Sequence, residues 1–145
     1  SRRCLPVSDG AGRRKGGAGM RVEFGPTRGE MQVAFVSDGT LNPAQGVRGG
    51  GLGGAAYQAV RGPDGEERPT ENCDVVSLRP GDMIVSHCCG GGGYGPPETR
   101  EPERVAVDVR EGWIGAERAR EVYRVALGPD GGVDAEATAR LLAGA

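Results

Sequence analysis

The tract "GGGGYGPP" at 90–97 divides this chain into two kinds of sequence. Before it, apolar and polar residues alternate, the period of two that a half-buried strand requires. After it, apolar residues recur every three or four positions, the period of a helix. A chain patterned in this way is predicted to be α+β, with a β-rich hairpin section over about 18–88 and a short helical section over about 101–143. Four consecutive residues without Cβ at the junction, Gly90, Gly91, Gly92 and Gly93, also suit a close-approach loop.

In the first section Met20, Val22 and Phe24 alternate with Arg21 and Glu23, and Met31, Val33 and Phe35 repeat the pattern after "PTRGE". A connection that short predicts a hairpin. The segment 38–54, "DGTLNPAQGVRGGGLGG", has neither period and reads as a long irregular loop, a type usually retained for function or mobility. "AAYQAV" at 55–60 reads as a short strand. "CDVVSL" and "DMIVSH" flank "RPG", where Pro80 presets φ at one turn position and Gly81 accepts positive φ at the next, and they are expected to form a second hairpin.

The helical section opens with Pro102, suited to a first turn, followed by an apolar stripe of Val105, Ala106 and Val109 that Gly112 ends. "AERAREVY" reads as a second short helix, "RVAL" as a brief strand, "GPDGG" as a turn, and a last helix starts near Asp134, whose carboxylate can cap it. No internal repeat is visible.

A chain of 145 residues fits one domain. Net charge of −2 argues against a general nucleic-acid or anionic-membrane binder, which needs a surplus of cations on one face. No apolar run is long enough to span a bilayer and no signal peptide is evident, so a cytoplasmic protein is expected. Cys4, Cys73, Cys88 and Cys89 are too irregularly spaced for a disulfide framework and suit a reducing compartment. The chain opens at Ser1 without an initiator Met and enters patterned sequence at once, which suggests a piece of a longer protein.

Glycine makes up 28 of the residues and invites a nucleotide reading, which the spacing rejects. "GLGGAA" at 51–56 fits G-x-G-x-x-A, but no strand runs directly into it and no helix leaves it. "GAGRRKGG" has its lysine before the glycine and no hydroxyl after it, so it is not a P-loop. His87 and Cys89 could share a strand face, yet two adjacent-face residues fall short of a closed zinc site, and strand-end packing is the simpler reading. Asp9, Asp38 and Asp82 suit local backbone bonding in turns, and the Arg13, Arg14, Lys15 patch suits a solvated loop.

Two longer stretches carry a resemblance. "SDGAGRRKGGAGMRVEF" looks like the glycine-rich loop and strand of the hydantoinase B/oxoprolinase family. "LRPGDMIVSHCCGGGGYGPPETREPERVAVDVREGWIGAERAREVYRVAL" is similar in order and spacing to that family's C-terminal part. The chain departs from the family's pattern at Pro96, where an Asp is usual, at Cys88 and Cys89, and at Gly115.

The resemblance implies that residues 1–145 are the C-terminal part of a B-type subunit of an ATP-dependent hydrolase acting on a cyclic amide such as a hydantoin or 5-oxoproline. In related members the reaction is carboxylation of a ketone. A non-catalytic subunit-packing module is the remaining reading. The resemblance places ATP and Mg on an A-type partner subunit or fused half, and a divalent metal in an N-terminal region outside this chain. No cofactor or metal is therefore expected on these residues, and the piece alone is expected to be inactive. The implied partners are the A-type subunit and a small cyclic amide, with neither nucleic acid nor membrane. Gly90, Gly91, Gly92, Gly93, Tyr94 and Gly95 are expected to form a loop beside the substrate cavity or the partner, and no catalytic residue is assigned.

Overall fold

The computed structural model describes residues 1–144. Seven strands precede three helices: β1 (Arg2–Cys4), β2 (Met20–Phe24), β3 (Met31–Val36), β4 (Tyr57–Arg61), β5 (Glu67–Pro69), β6 (Cys73–Leu78) and β7 (Met83–His87), then α1 (Pro102–Arg110), α2 (Ala116–Glu121) and α3 (Ala135–Ala143). The α+β class and the order of its two sections follow the sequence pattern. Two short charged strands, β1 and β5, escape that pattern because both are exposed edges where no apolar alternation is required.

Both expected hairpins are absent. The five-stranded antiparallel sheet runs β1-β2-β7-β4-β5, whereas β3 and β6 pair only with each other. β2 aligns with β7 from Arg21 opposite His87 to Phe24 opposite Ile84, and β3 aligns with β6 from Met31 opposite Leu78 to Val36 opposite Cys73. Two long arms, β2 with β3 and β6 with β7, therefore bend together from the sheet into a ribbon.

The "RPGD" turn forms as its residues dictate, with Gly81 at φ +102 and the Asp82 amide donating to the Arg79 carbonyl at 2.9 Å. It is a corner between layers instead of a reversal within one. The reason is burial: the bend folds the ribbon onto the sheet, enclosing Phe35, Leu78 and Ile84 with Met31, Val33, Val60 and Val76 around them.

The helices build a second core from Val105, Ile114, Ala119, Tyr123 and Val125, with Ala11 of the N-terminal loop inserted into it. α1 starts at Pro102 as its sequence requires, and the Asp134 carboxylate accepts from the Ala137 amide at 2.9 Å to cap α3. The expected strand at "RVAL" does not form. Arg124 turns left-handed at φ +58, and the next amides bond instead to the Ala119 carbonyl and the Thr138 hydroxyl, leaving only a bridge from Leu127 to Val133. The same turn stops α2 at Glu121, two residues short of the reach its apolar pattern suggests.

Candidate functional site

The glycine run is neither a linker nor an open loop. Segments 8–19, 45–54 and 90–95 lie side by side and bond backbone to backbone. Gly91 accepts from the Gly10 amide and donates to the Gly17 carbonyl, each at 2.8 Å. Gly90 and Gly93 donate to the other flank, at Gly54 and Gly51, over 3.0 and 2.9 Å. Gly51 donates in turn to the Ala11 carbonyl at 2.7 Å, which closes the triangle of segments.

A Cβ built on Gly16, Gly50, Gly53, Gly90, Gly92 or Gly93 would stand less than 3.0 Å from backbone atoms of a neighbouring segment. No side chain fits there, and glycine is the solution because the bundle's core is main chain. The amides and carbonyls that a long buried loop would leave unpaired bond to one another.

At one end the bundle emerges at Tyr94. Arg14 and Tyr94 exchange backbone bonds of 3.0 and 2.9 Å, the Arg13 amide donates to the Gly95 carbonyl at 3.2 Å, and Gly95 donates to Val47 at 2.9 Å. These bonds fix Arg13, Arg14 and Lys15 beside the start of α1. There Arg13, Arg14, Lys15, Thr99, Arg100, Glu101 and Arg104 line a cavity of about 580 Å3. An adjoining cavity of about 330 Å3 is lined by Arg13, Arg48, Tyr94, Gly95, Pro96 and Thr99. The Arg48 guanidinium donates to the Tyr94 hydroxyl at 3.0 Å and lies 5.8 Å from its ring centre.

Asp108 anchors the cleft from beneath. It is 7% exposed, pairs with Arg100 at 2.9 Å and Lys15 at 3.2 Å, and sits on the buried face of α1 between Val105 and Val109. Lys15 Nζ also lies 5.3 Å from the Trp113 ring centre. Behind this pair, Arg118 donates to the Asp9 carbonyl at 2.8 Å. The Asp9 Oδ2 and Tyr123 hydroxyl are buried without partners among the described residues. Burial, and then the Asp9 charge, push the Tyr123 hydroxyl pKa up, so Tyr123 stays protonated.

Of the residues singled out by sequence, Gly90, Gly93 and Gly95 are buried, Gly91 and Gly92 are half-buried, and Tyr94 is exposed. Tyr94 and Gly95 border the smaller cavity, whereas Gly90, Gly91, Gly92 and Gly93 line neither. Asp82 accepts from the Arg79 amide and Asp38 from the Asn42 side chain, the local bonding expected of turn aspartates. Asp9 instead is buried beneath the helices.

His87 and Cys89 do not converge. The His87 ring is 5.2 Å from that of Tyr57 and 3.1 Å from an Arg21 nitrogen, while the Cys89 thiol contacts the Gly39 carbonyl. Among the described residues no three His, Cys, Asp or Glu side chains are placed to hold a metal ion. Nor is any helix of them long and apolar enough to cross a membrane. Sequence reading missed Arg48, Arg100, Arg104 and Asp108; a carboxylate at 108, inside the apolar stripe of α1, was the one available signal.

The chain is similar in sequence and fold to known proteins. The chain is 33% identical over 138 residues to caprolactamase subunit beta of Pseudomonas jessenii, covering 90% of this chain and 23% of that protein. It is 42% identical over 62 residues to the acetone carboxylase alpha subunit of Xanthobacter autotrophicus, covering 40% of this chain and 8% of the relative. The solved ATP-dependent caprolactamase of Pseudomonas jessenii superposes with a TM-score of 0.75 at 26% identity, over 99% of this chain and 25% of the other. Nucleotide-free acetone carboxylase shares the fold at a TM-score of 0.67 and 23% identity, over 99% and 24% of the two chains. The chain thus spans about a quarter of caprolactamase subunit beta. A Hydantoinase B/oxoprolinase family model matches residues 1–97, the strands and the whole glycine bundle, and the chain belongs to that family.

Proposed function

We propose that this chain is part of the B-type subunit of an ATP-dependent hydrolase that opens a cyclic amide. The observation that carries this reading is the 33% identity to caprolactamase subunit beta across 90% of the chain. In sequence the carboxylase relatives align over only 40% of it, so ketone carboxylation is the second reading. Opening a lactam or hydantoin ring is difficult because amide resonance makes the carbonyl carbon a poor electrophile, and ATP would supply the activation by turning the carbonyl oxygen into a leaving group.

Among the described residues no three His, Cys, Asp or Glu side chains come together to hold a metal ion, and this reading assigns metal chemistry to no residue of this chain. Its contribution is architectural. The backbone bundle holds Tyr94 and Gly95 at the edge of a cavity and fixes α1 against the N-terminal loop, a rigid wall on which a substrate cavity or an A-type partner can be built.

The reading is tested by assembling the complete B-type subunit that carries this sequence with its A-type partner and measuring ATP hydrolysis. Stimulation by a lactam, hydantoin or 5-oxoproline is expected, with ring-opened product in proportion. Stimulation only by a ketone with bicarbonate would replace this reading with the carboxylase, and no stimulation by any of them would leave a packing module.

A further inference from the structure

We propose that the cleft between the 13–15 loop and the start of α1 binds the phosphate chain of a small polyanion. Six cations surround it and its neighbour, namely Arg13, Arg14, Lys15, Arg48, Arg100 and Arg104. Among the described residues only two carboxylates pair with them: Asp108 is shared by Lys15 and Arg100, and Glu101 pairs with Arg104. Arg13, Arg14 and Arg48 make no ion pair among the described residues. Gathering like charges raises the energy of the fold unless an anion joins them.

The charges are also held in place. Arg13 and Arg14 rise from a backbone tied to Gly95 and Tyr94, and the Arg100 side chain is only 9% exposed, bonded to Asp108 and to the Arg13 carbonyl. Its Nε is buried with no partner among the described residues. A mobile basic loop would spread its side chains into water; here guanidinium groups from the loop and from both sides of the α1 start face one concave space. Their fork geometry suits phosphate oxygens, which accept two parallel N–H bonds.

The form of the cleft selects among anions. About 580 Å3 lies within the range of small-molecule pockets, whereas a protein partner needs roughly 800 Å2 of contact per side. A chain of net charge −2 is poorly suited to track a nucleic-acid backbone. Free polyphosphate and the phosphate tail of a nucleotide share the chemistry that fits. The Tyr94 ring in the adjoining cavity, with the Arg48 guanidinium beside it, offers a flat surface to the organic part of the latter. This site stands independently of the cyclic-amide reading.

The experiment is calorimetric titration of the full chain with inorganic tripolyphosphate and, separately, with ATP. Saturable one-to-one binding that weakens with salt is expected. Arg13→Gln with Arg14→Gln should weaken it about tenfold or more, with an unchanged melting temperature, because neither side chain bonds to the rest of the described protein. Equal affinity for the two ligands identifies the phosphate chain as the recognised group. Tighter ATP binding that Arg48→Gln reduces to the tripolyphosphate level identifies a nucleotide. The proposal is overturned by no saturable binding of either ligand, by equal binding to the double variant, or by a poly-glutamate peptide that binds more tightly than tripolyphosphate.

Discussion

Gly17 and Gly93 belong to one bundle, yet an added methyl group would meet opposite surroundings. At Gly17 nothing lies within 4 Å, whereas at Gly93 the Cβ would enter the backbone of Ala11. Gly17→Ala is expected to change stability by less than about 0.5 kcal/mol, and Gly93→Ala to cost about 3 kcal/mol, the upper end of ordinary overpacking. Urea denaturation of the two variants measures the contrast; equal midpoints would show that the bundle yields locally. Asp108 supplies a second residue-scale test. Asp108→Asn leaves Arg100 buried without its counter-charge and should destabilise by about 3 kcal/mol, as when one partner of a buried pair is removed.

On the sheet, four strands contribute to one charge network. Arg21 of β2 pairs with Glu23 and with Glu67 of β5, Arg61 of β4 pairs with both carboxylates, and His87 of β7 abuts Arg21. Hydrogen bonds from Arg61 and then Arg21 hold the Glu23 pKa down to about 2, from 4.5. Burial, and then the Arg21 charge, push the His87 pKa below 6.5, with Arg3 acting in the same direction and Glu67 and Glu23 against it. Both shifts act with the same sign. The unfolded chain takes up these protons first, so both contributions are complete above pH 6.5. The His87 part is lost as pH falls below 6.5, and the Glu23 part between 4.5 and about 2. Urea midpoints followed across that range should decline in two stages. Glu23→Gln should lower the midpoint near neutrality and flatten the acid stage; an unchanged acid stage would assign it to other carboxylates.

The same elements show what sequence could reveal. Alternation placed β2, β3, β6 and β7 correctly, and the cap at Asp134 and the turn at Gly81 were readable because each depends on neighbours a few residues away. Pairing was not readable: a period of two says which face of β6 is buried, but "RPGD" serves a corner as well as a reversal. The cleft was hidden for a related reason. Arg13, Arg48 and Arg100 are each unremarkable among polar neighbours, and only the folding of three distant glycine segments brings them together.

Across the whole molecule, the two apolar cores share no residue. One lies between sheet and ribbon around Leu78 and Ile84, the other among the helices around Val105 and Tyr123. The glycine bundle lies between them. It continues directly from β7 through Gly90, and its 8–19 segment carries Ala11 into the helical core, while Val7 just before it accepts from Arg118 and donates to the Trp113 carbonyl. If this main-chain bundle couples the cores, the protein should unfold in one transition. Fluorescence of the single Trp113, which reports the helical half, should then coincide with circular dichroism, which is sensitive to the strands as well. Gly93→Ala attacks the coupling without touching an apolar side chain of either core. The expected outcome is that both signals shift together to lower urea. Separation of the two curves in the wild-type chain would show that the cores stand alone, and separation only in the variant would show that the bundle is the sole link between them.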